Sequence, residues 1–374
     1  MRANVLTASA LTKQAGRFVW LSIDTEKPKN AAFLQKFPVS AWPSFLVIDP
    51  ASEQVVLRWY GAANASQLLK LMDDGERAAR GPGVAPAAET ALARADRLNG
   101  ERKWSEAAVQ YRQALEAGGP AWEGRPRVVG SLLTALQFAR QRQECANIAI
   151  AEAPKLAGGP WFAKVVNTGL ICTLGATADT PWRAAALASL KPLGEEALRA
   201  TSALVDERSE IYDAMVSLAE AEKDLPRAKQ VAKDWFDFLE GERKRATTVE
   251  ARAASDGHRV SAALKMGDPA RAVPALKASE AALPGDYNPP ARLAVLYREI
   301  GRLDEALAAS DRAIAKAYGP RKIGILTNRA QIFELRKDRA GARGAIEQAI
   351  TLAESLPDQQ ANLDRLRPWL ARLR

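Results

Sequence analysis

The feature that most constrains this chain is a helical hairpin that recurs at a spacing of 34 to 36 residues, clearest at Asn288 to Lys316, NPPARLAVLYREIGRLDEALAASDRAIAK. The stretch reads as one helix, a tight turn at Gly301 and a second, antiparallel helix. Asn288 is expected to cap the first helix, Pro289 and Pro290 fall where no backbone donor is required, and Leu293, Leu296, Tyr297 and Ile300 recur at helical spacing. Small residues at Ala306, Ala309 and Ala313 let the first helix approach the second, while Leu307 and Ile314 fill the gaps between units. A hairpin this short cannot bury its own apolar face, so it requires neighbours of the same kind. They are present. Met266-Gly267-Asp268 with Ala272 matches Ile300-Gly301-Arg302 with Ala306, a spacing of 34 residues. Tyr297, Ala306, Ala313 and Ile314 are matched by Phe333, Ala342, Ala349 and Ile350, each 36 residues on.

On these residues the chain resembles the tetratricopeptide repeat (TPR) family: a small residue at Ala294 and Ala330, an aromatic at Tyr297 and Phe333, glycine at Gly267 and Gly301, alanine at Ala272, Ala306 and Ala342, and Pro284 closing a unit. It departs from the family where Lys337 replaces the turn glycine and Ser310 stands at a usual aromatic. The resemblance implies stacked helix pairs whose first helices line a surface that holds an extended peptide or a partner's tail. Asn288, Arg292, Arg298, Asn328 and Arg329 are the candidate lining residues, able to grip acidic groups through guanidinium and amide donors. Two aromatic stretches, Trp235 to Leu239 and Tyr287 to Pro290, read first as packing between repeats.

Nearer the N-terminus the pattern changes. Phe18 to Asp24 (FVWLSID) reads as a strand, Asn30 to Phe37 as a helix, SFLVID and QVVLRWY as two further strands, and Ser66 to Ala79 as an amphipathic helix covering the sheet. This order, with FPVSAWPSFLVID at its centre, resembles the second part of a thioredoxin-like domain. The resemblance implies a cis bond before Pro43, a glycine after the last strand at Gly61, and a polypeptide-binding backbone at Trp42, Pro43 and Ser44. It covers roughly residues 1 to 80, with Arg2 to Gln14 as the remainder of a helix, and lacks the family's first strand and its Cys-x-x-Cys. That strand would lie between those at Phe18 and Phe45. The domain is therefore expected either to be completed by upstream sequence or to be degenerate.

The fold class expected is mainly α: a partial thioredoxin-like α/β domain at 1–80, a Gly/Pro-rich linker at 81–88, and a TPR-like helical-repeat solenoid at 89–374, most regular at 250–354. Within it, Glu89 to Ala117 repeats the pattern with Arg102-Lys103-Trp104 in the turn and Ala107, Tyr111 and Ala114 after it. Arg125 to Leu156 forms another pair, with Cys145 as the small residue at the helix crossing. Trp161 to Ala200 shows no clear repeat, Ile211 to Leu239 returns to it, and Gln360 to Leu373 closes the array. In that last helix Leu363, Leu366 and Leu370 face inward, with Arg365, Arg367, Arg372 and Arg374 outward.

Composition narrows function. The formal charge of +9 comes from charges interspersed along helices rather than from a basic run, so no nucleic-acid partner is expected. Cys145 and Cys172, on separate helices and outside any Cys-x-x-Cys, indicate neither a disulfide scaffold nor a zinc site, with a redox-sensing disulfide between the two as a third and minor reading, and one histidine, His258, supplies no metal cluster or nucleophile–base triad. No catalytic residues, metal ligands or cofactors are expected. No apolar run reaches the roughly 18 residues of a membrane span, and no export signal is legible, so the chain as written reads as cytoplasmic; an upstream start would make it periplasmic or exported. The function expected is a non-catalytic protein-interaction scaffold with a protein or peptide partner. The alternative is a thiol–disulfide oxidoreductase whose Cys-x-x-Cys lies upstream. Oligomeric state stays open.

Overall fold

A computed structural model describes residues 5–6, 8–39, 41–80 and 86–373. The elements in order are α1 (Ser9–Thr12), α2 (Ala31–Lys36), β1 (Ser44–Asp49), β2 (Gln54–Tyr60), α3 (Ala65–Ala79), α4 (Ala87–Gly100), α5 (Trp104–Gly118), α6 (Arg125–Phe138), α7 (Arg142–Glu152), α8 (Phe162–Leu174), α9 (Arg183–Ala197), α10 (Val205–Ala221), α11 (Leu225–Arg245), α12 (Val249–Ala254), α13 (Asp256–Met266), α14 (Val273–Ala282), α15 (Asn288–Glu299), α16 (Leu303–Lys316), α17 (Arg321–Leu335), α18 (Arg339–Glu354) and α19 (Gln360–Arg372). The chain divides into two compact units. Unit 1 holds Met1–Val19 and Val39–Val231; unit 2 holds Trp20–Pro38 and Ala232–Arg374. The fold is mainly α and TPR-like, with one small sheet among the described residues.

One junction geometry recurs through both units. After α4, α6, α10, α13, α15 and α17 the chain passes through a left-handed residue, at Arg102, Arg140, Lys223, Gly267, Gly301 and Lys337 respectively, with φ between 59° and 82°. At each, the following N–H donates to the carbonyl five residues earlier at 2.8–3.0 Å, as in Lys103 to Leu98, Arg302 to Tyr297 and Asp338 to Phe333. This six-to-one bond closes the first helix and reverses the chain, satisfying a carbonyl that the helix end would orphan. Five residues after each left-handed position comes a small buried one: Ala107, Cys145, Ala228, Ala272, Ala306 and Ala342. Small side chains there let the antiparallel helices close together. The α8–α9 pair lacks the device, since Gly175 after α8 has φ −73°. The closing helix α19 buries Leu363, Leu366 and Trp369 and exposes Arg365, Arg367 and Arg372; Arg374 lies outside the described residues.

In unit 1, β1 and β2 form an antiparallel hairpin pairing Ser44 with Tyr60 and Asp49 with Gln54, with an irregularity between Val47 and Ile48. Asn64 caps α3 reciprocally: its Oδ1 accepts from Gln67 N at 2.9 Å, and Gln67 Oε1 accepts from Asn64 N at 2.7 Å. The hairpin lies directly on the repeats. A Cβ at Gly100 of α4 would stand 2.9 Å from Val55 O of β2, and Trp59 meets Trp161 edge-on at 5.2 Å. Arg127 of α6, fully buried, donates through Nη2 to both oxygens of Asp96 on α4 at 2.9 Å, while Asp74 of α3 stands 3.6 Å from its Nε.

The structure departs from expectation at four places. Residues 18–24 are not a strand: with no strand beside them among the described residues their backbone has no ladder to join, and Val19 and Leu21 are exposed. Helix α4 begins at Ala87, inside the expected linker, of which residues 81–85 lie outside the described residues. Asn288 does not cap α15. It is the first helical residue, and its N–H and Nδ2 both donate to Asp286 Oδ1 at 2.8 Å. Finally, Cys145 and Cys172 form a disulfide joining α7 to α8, because the packing of α8 on α7 brings the two Cα atoms to 6.2 Å.

Candidate functional site

Within unit 2 the segment around Asp24 seats on the N-terminal ends of α15 and α17. The sequence makes the segment a turn: Asp24 Oδ1 accepts from Glu26 N at 3.0 Å, and Asp24 O accepts from Asn30 Nδ2 at 2.7 Å. Thus held, the two carboxylates point to three side chains of the repeats. Tyr318 Oη donates to Asp24 Oδ2 at 2.6 Å, Arg321 Nε donates to Glu26 Oε1 at 2.7 Å, and Tyr287 Oη donates to Glu26 Oε2 at 3.4 Å. The tyrosine rings meet edge-on at 6.1 Å, and Lys27 Nζ lies 5.7 Å from the Tyr318 ring centre. Gly319, with φ 61°, brings its backbone so close that a Cβ there would stand 2.7 Å from Glu26 O.

Charge suits the arrangement. Tyr287 is the residue before α15, and Arg321 is the first residue of α17, so Glu26 sits where both helix dipoles present their positive ends. Burial pulls the Asp24 carboxyl upward, but the Tyr318 hydroxyl, the Glu26 N–H, Lys27 and Lys29 outweigh it and hold it below the usual carboxylate range. The bond to Asp24 pushes the Tyr318 phenol up to about 12, and burial together with Glu26 does the same for Tyr287, to about 12.

The groove residues expected from sequence are only partly brought together. Arg298 donates to Asn328 Oδ1 and Gln331 Oε1, bridging α15 and α17, and also to Glu299. Asn328 is buried, with Nδ2 unpaired. Arg329 is directed elsewhere: its Nη1 donates to Asp311 of α16 at 2.6 Å, and its guanidinium lies 5.1 Å from the Phe333 ring. Arg292 makes no hydrogen bond or ion pair among the described residues; burial lowers its pKa, with Asp256 and Asp286 opposing. In unit 1, Trp42–Pro43 is a cis bond, Trp42 is 61% exposed, Pro43 O accepts from Gly61 N at 2.9 Å and Ser44 Oγ donates to Ala41 O at 2.6 Å.

Sequence reasoning marked Tyr287 to Pro290 only as an aromatic stretch and missed Tyr318, Gly319 and Arg321. A signal existed. Tyr287-Asn288-Pro289 and Tyr318-Gly319-Pro320 are the same Tyr-x-Pro pattern at two successive inter-repeat turns. The acidic turn had no legible signal, because its partner lies about 300 residues away in sequence.

No curated protein matches the sequence. Among solved structures, a tetratricopeptide repeat protein from Parabacteroides merdae aligns at 12% identity and TM-score 0.48, over 77% of this chain and 98% of its own. The APC/C hetero-tetramer Cut9-Hcn1 aligns at 11% identity and TM-score 0.35, over 93% and 58%. The TPR2AB domain of yeast Sti1, solved as a complex with pHSP90, aligns at 15% identity and TM-score 0.26, over 75% and 96%. Residues 263–321, which span α14, α15, α16 and the Tyr318 turn, match the family model described as Tetratricopeptide repeat.

Proposed function

We propose that this chain is a non-catalytic polypeptide-binding scaffold, in which the surface formed by α13, α15 and α17 takes a partner segment through Arg292, Arg298 and Asn328. The observation that carries the reading is the placement of Arg292: half-buried on α15 against Gly257 of α13, within the field of Asp256 and Asp286 and without a hydrogen bond among the described residues. A half-buried guanidinium with donors still unused gains from a charge-assisted hydrogen bond, which an incoming carboxylate supplies. The unpaired Nδ2 of Asn328 adds a donor on the adjacent helix.

A second polypeptide contact is proposed at Trp42 to Ser44, where the exposed indole suits the polypeptide-binding edge of the thioredoxin-like domain that the sequence resembles. Cys145 and Cys172 are buried and bonded to each other, so neither serves as a nucleophile in this state.

The test is an immobilised peptide array probed with the full chain and with Arg292→Glu/Arg298→Glu. The wild type is expected to bind a subset enriched in acidic peptides, and the variant to lose about tenfold or more, as when a charge-assisted pair is reversed. An array bound equally by both proteins, or by neither, would overturn the reading.

A further inference from the structure

We infer that the pocket between the N-terminal ends of α15 and α17, walled by Tyr287, Tyr318, Gly319 and Arg321, is a docking site for polypeptide turns carrying two carboxylates one residue apart, and that Asp24-Thr25-Glu26 is its occupant within this chain. The inference deepens the scaffold reading by naming a ligand class, and it concerns different residues from Arg292, Arg298 and Asn328.

Three independent features make this a built site rather than a chance contact. The donors match the ligand atom by atom: one phenol for Asp24, a guanidinium and a second phenol for Glu26. The floor is shaped for backbone, since only glycine at 319 lets the Glu26 carbonyl approach so closely. The two walls come from equivalent turns of consecutive repeats, the Tyr-x-Pro at 287–289 and at 318–320, so the spacing between them is set by repeat stacking and not by the ligand. The ligand is preorganised too, by the Asp24–Glu26 turn.

Nothing in the contact requires the acidic turn to belong to this chain. It reaches the pocket through side chains and one carbonyl, without forming a helix or a strand with the repeats. A tethered segment has an effective concentration in the millimolar range, so it excludes a free peptide until the peptide binds more tightly or the tether lets go. The segment therefore acts as an internal competitor, and an external acidic-x-acidic turn displaces it.

The test uses the full chain and a fluorescein-labelled peptide of residues 20–30, read by fluorescence anisotropy. Asp24→Ala/Glu26→Ala, which empties the pocket without touching its walls, is expected to bind the peptide roughly tenfold more tightly than wild type, the factor that a mostly occupied site imposes. Adding Arg321→Glu should abolish that gain, and a peptide with both acids as amides should not bind. The isosteric Asp24→Asn/Glu26→Gln variant repeats the measurement in case the alanine protein is poorly folded. Equal affinity for wild type and both emptied variants, or a gain that survives Arg321→Glu, overturns the proposal. Array binding that depends on Arg292 and Arg298 would in that case still stand, which separates the failure of this inference from the failure of the scaffold reading.

Discussion

Lys337 stands at a turn where the sequence pattern asks for glycine, and the backbone adopts the left-handed conformation regardless, with φ 61°. A residue with a Cβ is strained there by about 1 kcal/mol, so the fold holds Lys337 in place against its own preference because the six-to-one bond from Asp338 N to Phe333 O and the packing of Ala342 depend on it. Lys337 is exposed, and its side chain makes no hydrogen bond or ion pair among the described residues. Lys337→Gly is therefore expected to raise the free energy of unfolding by about 0.5–1 kcal/mol. Gly301→Ala, where nothing lies within 4 Å of the new Cβ, is expected to lower it by about 1 kcal/mol through conformation alone. Thermal or denaturant unfolding of both variants checks the pair. At this scale the apolar periodicity was legible and the cap was not. Asn288 looked like an N-cap, yet Asp286 supplies the local acceptor, because which polar residue precedes the first helical φ/ψ is settled by the path of the incoming loop.

At the scale of elements, the pairs α4–α5, α6–α7 and α15–α16 were legible within a few residues, and so were β1 and β2, since each run carries its own period and its own turn residues; α8–α9 was not read as a pair and α10–α11 runs six residues further at each end than its apolar pattern showed. The strand expected at Phe18 to Asp24 was not formed. Composition marks a segment as able to be a strand, but only a hydrogen-bonding neighbour makes it one. The disulfide shows the converse. Nothing in the spacing of Cys145 and Cys172 advertised it, because their proximity arises from how α7 stacks on α8. Alanine occupies the place of Cys145 in the equivalent repeats, so Cys145→Ala/Cys172→Ala removes the cross-link with little loss of packing at 145. With the cysteines 27 positions apart in sequence, the double variant is expected to lose about 3.5 kcal/mol of stability. Denaturation of the wild type with and without reductant should reproduce that loss, while peptide binding by unit 2 stays unchanged.

At the scale of the whole molecule, a set of buried carboxyls gives stability a dependence on neutral pH. Burial raises Glu207, which caps Leu204 N at 2.9 Å at the start of α10, to about 7, and raises Glu210 beside it, with Lys164 opposing both. Burial likewise raises Asp96 to about 6 in spite of Arg127. A carboxyl whose pKa is higher folded than unfolded binds its proton more tightly in the native state. The contribution of these groups to stability is thus fully present below about pH 4.5 and is lost as pH climbs through about 7. Glu207→Gln keeps the acceptor for Leu204 N and removes the titration, so it should lose on the order of 2 kcal/mol less than wild type between pH 5 and pH 8 in denaturant unfolding. No helix among the described residues is long and apolar enough to cross a membrane. By itself, the sequence determined the helix pairs, their turns and the small residues at their crossings, because these follow from interactions within about 36 residues of chain. Tertiary structure alone decided the seating of Asp24 and Glu26 on Tyr318, Arg321 and Tyr287, the bond between Cys145 and Cys172, and the burial that shifts Glu207 and Asp96. Each of these depends on which surfaces meet, and no local period encodes that.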